Sequence, residues 1–171
     1  ICSTVNPQLF DGITKTRKSS SPVYNSDKRI LYTEDDGFLV LVIPSNNCGL
    51  TVEQIQAKDI PSGKTSYIIN TSDCLTDRSF RDAWYYDPAV GMGISMTKAK
   101  VVHQNNIRVA RKEKLAELDI EFQRALETSA NTSTIVAKKQ ALRDAPVATG
   151  IATAVNPQDL KAQWDTSILG T

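Results

Sequence analysis

The stretch TKAKVVHQNNIRVARKEKLAELDIEFQRALE, Thr97 to Glu127, contains neither glycine nor proline. Along it Ala99, His103, Ile107, Ala110, Lys114/Leu115, Leu118, Phe122 and Ala125/Leu126 recur at three or four residues, the spacing of one helical face. A helix of about 30 residues rising about 1.5 Å each is roughly 45 Å long, more than a small sheet can cover. Part of it is therefore expected to pack on another helix or another subunit. Asn105 and Asn106 make the stripe too polar for a continuous coiled coil, which predicts a bent helix or two halves with different partners.

Upstream, Arg29–Thr33 and Phe38–Ile43 are apolar runs separated by Glu34-Asp-Asp-Gly37, where Asp-Gly supplies the positive φ of a tight hairpin turn. The second run is apolar on both faces, so it is expected to be covered on both sides and to form the heart of the core. Thr51-Val-Glu-Gln54 is a capping box opening a short helix that ends near Lys58, and Pro61-Ser-Gly63 stops it. Ser66–Asn70 reads as a third strand. A polar connection from Asp73 to Arg81 leads into Ala83-Trp-Tyr-Tyr86, and Gly91-Met-Gly93 reads as a hinge before the long helix.

Beyond it, Thr132 or Ser133 caps a further helix to about Asp144, stopped by Pro146. Asn156-Pro-Gln-Asp159 combines an N-cap, a proline at the first helical position and an acid in the first turn, while Leu160 and Trp164 face one way. At the other end, residues 1–27 are poor in periodic hydrophobicity, and Ser19-Ser-Ser-Pro22 interrupts any regular element, so they read as an extended arm. The expected fold class is α+β, a small antiparallel sheet with a long amphipathic helix and a C-terminal helical tail. Its predicted parts are the arm (1–27), a strand-rich α+β domain (28–95), and the long helix and tail (96–171), packing on that domain or on a partner.

The composition is that of an ordinary soluble protein, with 40% hydrophobic and 23% charged residues and a formal net charge of +1. No global field recruits nucleic acid or an anionic membrane, so neither is expected as a partner. The longest apolar run, Phe38–Ile43, is far short of a membrane span. No basic and apolar leader precedes the fold, which predicts no signal peptide, and the lack of an initiating methionine allows for residues before Ile1. Cys2, Cys48 and Cys74 form no CxxC pair and are odd in number, as expected of plain thiols in a reducing cytoplasm.

Little catalytic chemistry is encoded. The single histidine, His103, excludes most triads and nearly all histidine-dependent metal sites, and it lies on the apolar helix face. Asp35-Asp36 are turn formers, and Gly91-Met-Gly93 lacks the third glycine of a dinucleotide loop. Arg108, Arg111, Lys112 and Lys114 are interleaved with Glu113 and Glu117, the pattern of a solvated helix face. No catalytic residue, metal or cofactor is expected; an enzyme would require a pocket built on Asp73, Asp77 and Arg81.

The densest polar and aromatic cluster is Asp77–Trp84 with Tyr85 and Tyr86. It is either a loop tied down by Arg–carboxylate pairs over buried aromatics or an assembly surface, since Arg, Tyr and Trp dominate interface hot spots. The candidate partner-binding residues are Arg78, Phe80, Arg81, Trp84, Tyr85 and Tyr86 here, Phe10 in the arm, His103, Ile107 and Phe122 on the long helix, and Trp164 in the tail.

Ala57-Lys-Asp-Ile-Pro61, Thr76-Asp-Arg-Ser-Phe-Arg-Asp-Ala-Trp84, Leu118-Asp-Ile-Glu-Phe122, Lys139-Gln-Ala-Leu-Arg-Asp-Ala-Pro146 and Leu160-Lys-Ala-Gln-Trp164 together resemble a class of small proteins encoded in tailed-bacteriophage structural modules. The resemblance spans about residues 38–165 and is specific as a set. The C-terminal part is also loosely similar to tail and tail-fibre assembly chaperones. What the resemblance implies is a virion structural or accessory protein, most readily tail-associated, made in the bacterial cytoplasm, contacting other virion proteins and forming a homo-oligomer. An assembly chaperone is the alternative it leaves open, and it carries no catalytic residue across.

Overall fold

The computed structural model describes residues 27–45 and 48–170, so the predicted arm, with Phe10, lies outside the described residues apart from Asp27. The chain divides into two compact units, the first ending at Cys74 and the second beginning at Leu75. The small antiparallel sheet, the long helix and the helical tail predicted from sequence are all present.

In the first unit β1 (Lys28–Thr33) pairs antiparallel with β2 (Leu39–Val42) and with β3 (Ser66–Asn70), in the order β2-β1-β3. The β1–β2 turn closes where Gly37 N donates to Glu34 O at 2.9 Å, with Gly37 at φ 81°, as the Asp-Gly pair requires. The heart of this sheet is β1, however, and not the second apolar run. Adjacent strand residues point to opposite faces, yet Ile30 and Leu31 are both 0% exposed. In the second run Phe38 is 46% and Ile43 63% exposed. Pro44, which lacks a backbone donor, closes that run and suits it to an edge, whereas β1 is free to pair on both sides.

Helix α1 (Val52–Asp59) covers one face of the sheet, with Val52 and Ile55 buried in a cluster with Ile30. Its capping box is formed in full: Gln54 N donates to Thr51 Oγ1 at 3.3 Å and Thr51 N to Gln54 Oε1 at 2.9 Å. Gln56 Nε2 donates to Ser66 Oγ at 2.8 Å, fastening the helix to β3.

The second unit begins with a tight turn at Arg81–Ala83 and a hairpin of β4 (Trp84–Asp87) and β5 (Gly91–Ile94). The predicted Gly91-Met-Gly93 hinge is thus a strand. Gly93 pairs with Tyr85, and a Cβ there would sit 2.6 Å from the Tyr85 ring, so the missing side chain makes room for the tyrosine. Helix α2 (Met96–Glu127) follows as one uninterrupted element of 32 residues, about 48 Å long. Then come α3 (Ser133–Asp144), α4 (Thr149–Thr153), α5 (Pro157–Lys161) and α6 (Thr166–Leu169). The sequence boundary at Ser95 falls inside this unit: Ser95 N donates to Ala83 O at 2.8 Å, and Phe80 and Ala83 share one core with Ala99, Ile107, Leu118 and Leu142.

Helix α2 ends in a Schellman motif, with Ala130 N donating to Ala125 O at 2.8 Å and Ser129 N to Leu126 O at 3.1 Å. The residue that must turn left-handed is Ser129, at φ 54°, where an L side chain is strained. Ser129→Gly is expected to stabilise the second unit by about 0.5–1 kcal/mol in urea unfolding. A loss of stability would show that the serine hydroxyl matters more than the backbone.

Candidate functional site

The structure sorts the predicted partner-binding residues into interior and surface. Ile107 is 0% exposed, Phe80 and Trp84 2% each and His103 4%. These four are placed to hold the fold and cannot meet a partner while it is closed. Their periodicity is the same for a core and for an interface, and only burial separates the two. Arg78, Arg81 and Tyr85 are exposed, while Tyr86, Phe122 and Trp164 are half-buried. Trp164 Nε1 donates to Gly170 O at 2.9 Å, closing the tail on itself. The aromatic box is therefore mainly a structural loop, with two arginines and one tyrosine on its outside.

What remains open lies along α2. Helix α2 packs on the Arg81–Ala83 turn and on α3, α5 and α6, with His103 near its start against Phe80 and Asp119 and Phe122 further along against Lys139 of α3. Arg111 Nη1 donates to the carbonyls of Leu142 and Arg143 at 3.1 and 2.8 Å, satisfying the C-terminal end of α3 with a cation. Lys139 of α3, only 14% exposed, pairs with Asp119 at 2.5 Å and lies 5.0 Å from the centre of the Phe122 ring. Phe122 thus belongs to the helix–helix seam. Phe122→Asp is expected to cost about 1–3 kcal/mol in chemical denaturation, less than at a fully buried site because Lys139 can turn to the new carboxylate. An unchanged transition would remove Phe122 from the seam.

Between α2, α3 and α6 runs a groove of about 270 Å³ with Leu118, Leu142 and Ile168 among its lining and Lys114, Glu121 and Lys138 beside them. It has room for an apolar side chain and offers charges of both signs beside it. Ser167 Oγ donates to Asp165 Oδ1 at 2.5 Å, but this is the N-cap of α6, where the same carboxylate also accepts from Ser167 N at 2.9 Å. The carboxylate is engaged as a cap and no imidazole stands by to take a proton.

On the far side of α2, Val109 and Ala116 stand seven residues apart and Ile120 follows four later, all three exposed, whereas Val102 packs against the core. At about 100° per residue this row lies roughly opposite the buried Ile107–Leu118 face. Val109 is 74% and Ile120 54% exposed. The sequence reading passed over these residues because the stronger core stripe masks them.

Ionisation adds little that is reactive. Asp77 is held at about 2, first by the hydrogen bond from Lys161, 2.5 Å away, and then by those from Ser79, so this pair joins the loop before Phe80 to α5 over most of the pH range. Asp73 belongs to the first unit, where bonds from Asn70 and Ser72 lower its pKa, while Asp77 and Arg81 belong to the second. Among the described residues no group of three or more His, Cys, Asp or Glu side chains is placed to hold a metal ion, and no helix is long and apolar enough to cross a membrane. Comparison of the chain with protein-family models, with curated proteins and with solved structures found no match.

Proposed function

We propose that this chain works by protein–protein assembly rather than catalysis, as a structural or accessory part of a bacteriophage particle, associated with its tail. The observation that carries the assembly reading is the second apolar row of α2, with Val109 and Ile120 exposed on the side away from the core. A helix with exposed apolar residues on the side away from its core carries more apolar surface than its own unit covers, which suits packing against another helix. On another face of the helix, the groove among α2, α3 and α6 offers a receptor for a single apolar side chain. The phage assignment rests on the resemblance of the box at Thr76–Trp84, the helix at Lys139–Pro146 and the tail at Leu160–Trp164.

The partners on this reading are other virion or tail proteins and further copies of the chain, with no nucleic acid, membrane or cofactor. Mass spectrometry of purified particles of the encoding phage tests it. Stoichiometric amounts in the mature particle are expected. Presence only in assembly intermediates would replace the structural role by that of a tail or tail-fibre chaperone, and absence from both would overturn the phage assignment.

A further inference from the structure

The C-terminal segment from Asn156 to Gly170 packs on α2 over the chain's single histidine. His103 is 4% exposed. Its ring meets Trp164 edge-on with centroids 6.1 Å apart and Phe80 at 6.2 Å. Its Nε2 is enclosed and has no hydrogen-bond partner among the described residues. A neutral imidazole is tolerable there, because Nε2 can be the bare acceptor nitrogen. An imidazolium is not, since it would bury a charge together with an N–H that has no acceptor.

The neighbouring elements do carry charges. Asp77, Arg78, Arg81 and Asp82 flank Phe80, Asp159, Lys161 and Asp165 flank Trp164, and Lys100 lies one turn before His103 on α2. Asp77 is taken by Lys161, Asp159 by Asn156, Asp165 by Ser167, and Lys100 donates to Ala152 O at 2.6 Å. Arg78, Arg81 and Asp82 are exposed, and none of the eight bonds to the imidazole.

We infer that His103 is an acid-operated latch: gaining a proton expels Trp164 and frees residues 157–170 from α2, while the rest of the second unit stays folded. Burial pushes the imidazole below its ordinary range, so it is neutral in the closed state at pH 7. Once the segment opens, the ring is hydrated and returns to about 6.5. The open state therefore binds the proton more tightly. Closure is at full strength above about pH 6.5 and weakens as pH falls from there toward the closed-state value.

Two features confine the response. His103 is the only imidazole in the sequence, and the described carboxylates with displaced pKa values, Glu53, Asp73, Asp77 and Asp165, are all displaced downward and stay charged through this window. The segment itself consists of short helices of five and four residues, held by Leu160, Trp164, Ile168 and Leu169 and by the exposed Lys161–Asp77 pair. His103 also meets Phe80, whose turn is tied to the start of α2 by the Ser95–Ala83 bond. The smaller, less anchored element opens first.

The test is amide hydrogen exchange of the full chain at pH 7.5 and 5.5, corrected for intrinsic rates, with proton NMR titration of His103. Protection of residues 157–170 is expected to fall by up to about tenfold per pH unit below about 6.5, the limit for one proton, while the first half of α2 keeps its protection. His103→Phe is expected to abolish the response. Unchanged protection of 157–170, a loss spread evenly along α2, or a variant that responds like the parent would each overturn the latch. Should the variant not fold, the parent's titration decides: His103 titrating in the closed state at or above about 6.5 overturns it.

Discussion

Replacing Ile107 with alanine is expected to lower the stability of the second unit by about 2–5 kcal/mol, a fall in melting temperature of roughly 10 °C or more for a unit of this size. Ile107 is 0% exposed and shares its cluster with Phe80, Leu118, Leu142 and Ile151, contributed by four different stretches of chain. Truncating it removes apolar contacts on several sides at once and leaves a cavity that well-anchored neighbours fill only in part. Thermal unfolding followed by far-ultraviolet circular dichroism measures the effect. From sequence Ile107 was equally a candidate partner residue, and that reading predicts the opposite result, a weakened oligomer with an unmoved melting curve.

Ile30→Ala and Leu31→Ala are each expected to destabilise the first unit by about 2–5 kcal/mol. On a sheet with one wet face, two successive residues cannot both be costly, because one of them points to solvent. Here both are 0% exposed, Ile30 in the cluster beneath α1 and Leu31 on the opposite face. Chemical denaturation of the two variants should show similar losses. A negligible effect of Leu31→Ala would show that its face of β1 is open in solution.

Local chemistry was legible from the residues alone. The Thr51/Gln54 box, the Asp-Gly turn, the Asn156 cap and the uninterrupted run after Met96 each encode their element through contacts within a few residues, and the structure forms them all. What was not legible depends on partners distant in sequence. Whether β1 or β2 is central depends on where β3 returns, and a run's hydrophobicity does not encode that. Gly91-Met-Gly93 looks like a hinge because glycine is flexible, yet it becomes a strand because Trp84–Asp87 pairs with it, Gly93 leaving room for the Tyr85 ring.

The site divides along the same line. Aromatic and arginine content marked Phe80 and Trp84 as candidate contacts, and a place on the apolar helix face marked His103, but the interior needs such side chains as much as an interface does. Val109 and Ile120 carry no special chemistry and gain interest only when α2 is seen to turn them away from its own core. Lys139 could not be chosen among twenty Lys and Arg residues until α3 placed it against Asp119 and Phe122.

The claim that the molecule works by assembly, beginning with itself, is tested most directly by its mass in solution. Light scattering on the full chain as it elutes from a sizing column should give a multiple of 18.8 kDa that holds across a tenfold dilution. A mass of 18.8 kDa at every concentration would contradict the account and leave the outer row of α2 as ordinary surface.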